Sequence, residues 1–169
     1  DDTTGRLLLR ELVMAADRGV RVRLLLDDMD ARNNNFALAG LDAHPNIDVR
    51  LFNPFSSRSG FFGKMLEMVF SLRRINHRMH NKSWIADNRI ALAGGRNIGD
   101  EYFSASGHVN FFDLDYAFIG PAVQELSASF DAYWNTDAVY PIALLSPELV
   151  SKASLSNLLA ESETIISAD

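Results

Sequence analysis

The sequence has no cysteine in its 169 residues, which excludes disulfides and thiolate metal sites. That absence says nothing of compartment, because a disulfide-free protein can work anywhere. No apolar run approaches the roughly 18 residues a membrane-spanning helix needs, and no signal-peptide pattern is present. The chain therefore reads as soluble or peripheral to a membrane. Internal repeats and low-complexity tracts are also missing. What is present is ordinary for a folded domain: 47% hydrophobic and 22% charged residues. The length suits one domain with a real core.

The net charge of −6 conceals an asymmetry. Eight basic residues fall between Arg58 and Arg96 (Arg58, Lys64, Arg73, Arg74, Arg78, Lys82, Arg89, Arg96) against Glu67 and Asp87 alone. That stretch carries +6 and the remainder −12. A positive field concentrated in one region attracts an anionic ligand there.

Read in order, Leu7, Leu8, Leu12, Val13 and Ala16 recur at helical spacing and Gly19 closes the helix. Val20 to Leu26 becomes continuously apolar, as in a buried strand. Asp27, Asp28 and Asp30 behind it are expected as loop or cap residues rather than as a cation site. Asn33 to Ala43 reads as a loop into a short helix, and Ile47 to Phe52 as a second strand. This alternation implies an α/β layered fold, and the helical opening at Thr3 suggests that a first strand precedes it. Asn53 to Gly63 reads as a connection. Phe62, Met65, Leu66, Val69 and Leu72 then form a helical stripe edged by Lys64, Arg73 and Arg74. It fits either a helix packed on a sheet or a cation-edged lipid-facing surface. Asn81–Ala86 and Arg89–Ala93 are expected as strands joined at Asp87-Asn88, a hairpin pair. Asn110 to Ile119 reads as one strand with Asp113 and Asp115 on one face. Pro121 opens a helix to Trp134, and Ser146 to Ile165 reads as a polar terminal helix.

The chemistry gathers between Arg78 and Tyr102. His80 and Lys82 stand two apart, and so on one face of a strand. Asp87 follows five residues later, then Gly94, Gly95 and Asn97. A nucleophile or base beside a fixed positive charge suits reaction at a phosphate ester. The glycine-rich approach to a helical turn adds backbone N–H groups for an anion. His77 and His80 with Asp113 are the nearest approach to a metal-ligand set, and a weak one.

His80-x-Lys82-x₄-Asp87 followed by Gly94-Gly95-x-Asn97 resembles the signature of the phospholipase D superfamily. Asp113-Leu114-Asp115 and Ile119-Gly120-Pro121-Ala122-Val123 are similar to its next segment. The surrounding wording, His-Asn-Lys-Ser-Trp-Ile-Ala-Asp and Gly-Gly-Arg-Asn-Ile-Gly-Asp-Glu-Tyr-Phe, is most similar to the bacterial cardiolipin synthase branch. The resemblance implies a layered mixed β-sheet flanked by helices, one half of a two-domain enzyme. Residues 1–145 would be the domain carrying the motif, and 146–169 a terminal helix or linker toward the second half. It implies a phosphatidyltransferase that makes cardiolipin through a phosphohistidine, without metal or other cofactor. His80 would attack phosphorus. Lys82 and Asn97, with the Gly94 and Gly95 segment, would hold the phosphate oxygens. Asp113 would accept the other ring N–H of His80, and Asp87 would complete the catalytic set, serving either the turn or the reaction directly. Imidazole titrates near about 6.5, so a histidine can attack in its neutral form at pH 7.

Such enzymes use two motifs, and only one is found here: His44, His77 and His108 lack the companions. General-acid help is worth about 10²–10⁴-fold, so a second motif is expected, from the same polypeptide or from a homodimer. The implied partners are phosphatidylglycerol, a second phospholipid or alcohol, and a membrane surface. The implied location is cytoplasmic, peripheral to the inner membrane. The alternatives are a homodimeric phosphodiesterase or nuclease and an inactive lipid-binding fragment. The acidic remainder of the chain disfavours nucleic acid.

Overall fold

A computed structural model describes residues 3–28, 35–54, 78–147, 149–151 and 155–160. The helical stripe expected between Phe62 and Leu72 lies outside them, as does His77. Helix α1 (Thr3–Asp17) buries Leu12, Val13 and Ala16 along one face. Gly19 ends it with φ +90°, and its N–H donates to Ala16 O at 2.9 Å. Strand β1 (Val22–Asp27), helix α2 (Asn35–Asp42) and strand β2 (Ile47–Phe52) follow. The two strands pair in parallel from Val22↔Ile47 to Asp27↔Phe52. The helix between them makes the crossover that parallel strands require.

The core forms where α1, α2 and β2 meet. Val13, Ala16, Leu38, Leu41, Ile47, Val49 and Leu51 pack there with Ile142 and Leu158. Along β2 the residues Ile47, Val49 and Leu51 point inward while Asp48 stays exposed, the period-two signature of a strand covered on one side. Completely burying one such Leu or Ile stabilises the fold by about 1.5–3 kcal/mol. On the opposite face the Arg50 guanidinium stacks 4.3 Å from the Trp134 ring and donates to Trp134 O at 3.0 Å.

The α/β class holds, but among the described residues the strands form two three-stranded sheets rather than one. The first has the order β1-β2-β6, where β6 (Val139–Pro141) runs antiparallel to β2. The second consists of β3 (Lys82–Ala86), β4 (Ile90–Gly94) and β5 (Asp115–Ile119), all antiparallel. Helix α3 (Pro121–Trp134) lies across both. Its first turn buries Val123, as β4 buries Ala91. Its last turn meets the first sheet, where Arg23 pairs with Asp131 at 2.7 Å and lies over the Phe130 ring.

Two expected elements begin later than the sequence suggests. The strand expected from Asn110 begins only at Asp115. The reason is local: Asp113 turns its carboxylate onto the Leu114 N–H at 2.7 Å, and Arg96 takes the Asp113 carbonyl at 3.1 Å. Those groups are diverted from a ladder. Ser146 does not open the terminal helix. It closes α4 (Ile142–Leu145), donating its N–H to Ile142 O at 2.9 Å. Among the described residues the later helical ones are 155–160, and Leu158 packs into the core.

Candidate active site

The hairpin sets the frame. Asp87 and Asn88 both take φ +52°, the left-handed pair of a type I′ turn, which Asp and Asn tolerate best. Arg89 N–H donates back to Ala86 O at 3.0 Å. Ser127 Oγ donates to Asn88 Oδ1 at 2.6 Å, fastening the turn to α3. Asp87 therefore sits at the tip of the hairpin, at the opposite end of β3 from Lys82.

At that other end, register brings the remaining groups together. Lys82 pairs with Gly94, and Gly94 pairs with Asp115. Residues paired across antiparallel strands project from one face. Lys82, the position of Gly94 and Asp115 thus form a row at the mouth of the second sheet. His80 lies two residues before the strand and is exposed. Lys82 Nζ donates to the His80 carbonyl at 3.0 Å, tying the cation to the histidine backbone. The His80 ring itself has no hydrogen-bond partner among the described residues.

The glycine pair is explained by what crosses it. A Cβ at Gly94 would stand 2.5 Å from the Leu114 carbonyl oxygen and 2.8 Å from Asp115 Cα. A Cβ at Gly95 would stand 2.5 and 2.7 Å from the Asp113 carboxylate oxygens. The missing side chains let the segment at 113–115 lie directly on the pair, bringing two carboxylates to the site.

Arg96, the residue left open between Gly95 and Asn97 in the motif, links these parts. Its Nε meets Asp115 Oδ2 at 2.6 Å, one terminal nitrogen reaches the Tyr102 carbonyl, and the other the Asp113 carbonyl at 3.1 Å. The five donors of a rigid guanidinium fork allow three partners at once. Asn97 Nδ2 donates to the Tyr102 hydroxyl at 3.1 Å, leaving a second amide hydrogen for a ligand. The Tyr102 and Phe111 rings pack 5.2 Å apart, and Phe111 N–H donates to Glu101 O at 2.7 Å.

Two further carboxylates brace the site from a distance. Asp100 accepts the Thr4 N–H at 2.7 Å, the Thr3 N–H at 3.0 Å and the Thr4 hydroxyl at 2.7 Å. It caps α1 from 96 residues away. Those hydrogen bonds, the Thr4 N–H first, hold its carboxyl below the ordinary aspartate range. Asp27, at the end of β1, accepts the Met79 N–H at 3.0 Å and Arg78 at 3.2 Å. Neither carboxylate was legible as part of the site, because each is read by backbone N–H groups that carry no residue signature. Among the described residues no group of three metal-ligating side chains converges, and no helix is long and apolar enough to cross a membrane.

The structure thus gathers His80, Lys82, Asn97 and Asp113 with the glycine pair around one end of a sheet, and leaves Asp87 at the other. Residues 3–134 match the family described as cardiolipin synthase, PLD-like domain. Cardiolipin synthase C of Escherichia coli K12 is 49% identical over 142 residues, 84% of this chain and 29% of that protein. An uncharacterized protein of Helicobacter pylori is 40% identical over 145 residues, 86% of the chain and 29% of that protein. A cardiolipin synthase of Staphylococcus aureus is 32% identical over 143 residues, 82% of the chain and 26% of that protein. The chain spans less than a third of the length of each of these relatives. With its matched span covering the hairpin, the glycine pair and α3, the chain belongs to the cardiolipin synthase family of phospholipase D-like domains.

Proposed function

We propose that this chain supplies one half of the active site of a phosphatidyltransferase that forms cardiolipin through a phosphohistidine. The observation that carries the reading is the row at the mouth of the second sheet. Lys82, Gly94 and Asp115 lie abreast in register, beside an exposed His80 whose carbonyl holds the Lys82 ammonium.

In the first step a ring nitrogen of His80 attacks phosphorus. The P–O bond to the departing alcohol breaks, and the departing oxygen takes a proton. In the second, an acceptor hydroxyl attacks the phosphohistidine. The P–N bond breaks, the acceptor proton leaves, and the histidine is regenerated. Lys82 and the free amide hydrogen of Asn97 stabilise the phosphate oxygens as negative charge builds on them. Asp113 binds the Leu114 N–H through Oδ1, and its Oδ2 is the acceptor for the His80 ring N–H in the reacting complex, a bond that would fix tautomer and orientation. Asp87 serves the turn, not the reaction. The proton for the leaving group comes from a second motif, on the same polypeptide or on a second copy. The acceptor is a phospholipid headgroup hydroxyl at a membrane surface. With water as acceptor the same intermediate gives hydrolysis.

In the complete protein, His80→Ala and Lys82→Ala are each expected to abolish cardiolipin formation from phosphatidylglycerol vesicles. The exposed setting of His80 should leave far-UV circular dichroism unchanged. Near-normal cardiolipin formation by the His80 variant would sink the assignment.

A further inference from the structure

Asp27 closes β1, which lies at one edge of the first sheet among the described residues, and its side chain is only 6% exposed. It stands 52 residues before the backbone it binds. Its two oxygens take consecutive residues of another segment: Oδ1 accepts from Arg78 Nη1 at 3.2 Å, and Oδ2 accepts the Met79 N–H at 3.0 Å. The next residue is His80, and two residues later the second sheet begins at Lys82.

We infer that Asp27 is a positioning residue that sets the His80 backbone, and through it the imidazole, against the first sheet. This rests on the reading of His80 as the nucleophile. The backbone at His80 is held from both sides: Asp27 grips the preceding N–H, and Lys82 grips the His80 carbonyl. The histidine lies outside any strand ladder, so these two bonds supply the order that a ladder would otherwise give. A nucleophile displaced by about 1 Å loses on the order of 10²-fold in rate. A charged acceptor makes a stronger bond to a backbone N–H than a neutral one. The Arg78 contact, with only 13% of that side chain exposed, neutralises the carboxylate where water cannot.

The test uses the complete protein with a chromogenic aryl phosphodiester in excess, followed before the steady state, where burst amplitude counts competent sites and the burst rate constant reports attack by His80. Asp27→Ala should lower the rate constant about 10- to 100-fold at a preserved amplitude per folded site. Asp27→Asn keeps the volume and one acceptor oxygen, and should lower it by about 3- to 10-fold. A merely structural role would cut the amplitude and leave the rate constant alone, and that result overturns the proposal. A poorly folding Asp27→Ala leaves the decision to the near-isosteric Asp27→Asn, read in the same way. His80→Ala is run alongside. A burst that survives in it overturns the functional reading and this proposal together. A His80-dependent burst indifferent to both Asp27 variants overturns this proposal alone.

Discussion

The two adjacent glycines of the motif should respond oppositely to a single added methyl group. At Gly94 the new Cβ would meet the Asp115 carboxylate, which can turn away, and also backbone that cannot, the Leu114 carbonyl at 2.5 Å and Asp115 Cα at 2.8 Å. Neither atom can retreat without parting β4 from β5, which pair at this residue. Overpacking of this kind costs about 1–3 kcal/mol. The Arg96–Asp115 pair, with side chains 30% and 33% exposed, adds about 0.2–1 kcal/mol if it breaks. Alanine recovers about 0.4–1 kcal/mol through the unfolded chain, so Gly94→Ala should destabilise by about 1–3 kcal/mol. At Gly95 the obstruction is only the tip of the Asp113 side chain, which can rotate away. That forfeits the bond to Leu114 N–H, about 0.5–1 kcal/mol, and the same entropic gain cancels it. Urea unfolding followed by circular dichroism should give a lower midpoint for Gly94→Ala and an unchanged one for Gly95→Ala. Phosphatidyl transfer should nonetheless fall about tenfold or more in Gly95→Ala, because Asp113 no longer lies where the glycine let it lie. Equal midpoints for the two variants, or greater loss at Gly95, would refute the packing argument.

Asp100 gives a pH prediction whose sign is fixed by its hydrogen bonds. Its carboxyl is held below the ordinary range, so the stability it contributes is complete above the unfolded-state pKa and is lost as pH falls through the folded value. Asp100→Asn should therefore flatten the acid limb of a stability–pH curve below about pH 4, while costing about 0.5–1 kcal/mol at neutral pH, toward the lower end for a cap near water. An unchanged acid limb would discount the cap on α1. Arg96→Lys keeps the charge but not the fork, and one ammonium cannot span Asp115, Tyr102 O and Asp113 O as the guanidinium does. A loss of about 1–2 kcal/mol in thermal or urea unfolding is expected, with faster amide exchange at Phe111, whose N–H is tied to the same loop. Wild-type stability and exchange in that variant would show that the loop holds itself.

The parts of the fold readable in the sequence are those whose signal is local. Ile47–Phe52 alternates and sits where expected, Asp87-Asn88 turns as that pair must, and Pro121 opens α3. Strand β6 has three residues and α4 has four, too few to show a period. The strand expected from Asn110 was overextended because alternation of Phe112, Leu114 and Tyr116 continues through residues whose polar groups are engaged elsewhere. Phe112 and Leu114 in fact stand 101% and 63% exposed. Alternation alone did not mark a covered face there.

The candidate site divides along the same line. His80, Lys82, Gly94, Gly95 and Asn97 are visible because chemistry demands residue types at fixed spacing. Asp27, Asp100 and Arg96 are not, because what they bind is largely backbone: the Met79, Thr3 and Thr4 N–H groups and the Tyr102 and Asp113 carbonyls. Any residue but proline presents an N–H, so no pattern in positions 3, 4 or 79 announces a carboxylate partner. Yet the bonds of Asp27 and Asp100 to backbone N–H groups span 52 to 97 positions, and they connect the motif to α1 and β1. A phosphate clamp built on a hairpin holds its geometry only as well as the hairpin is held by its surroundings. Asp27, expected from the sequence to be a loop or cap residue, and Asp100 are therefore where a change remote from the chemistry should be felt first as lost rate.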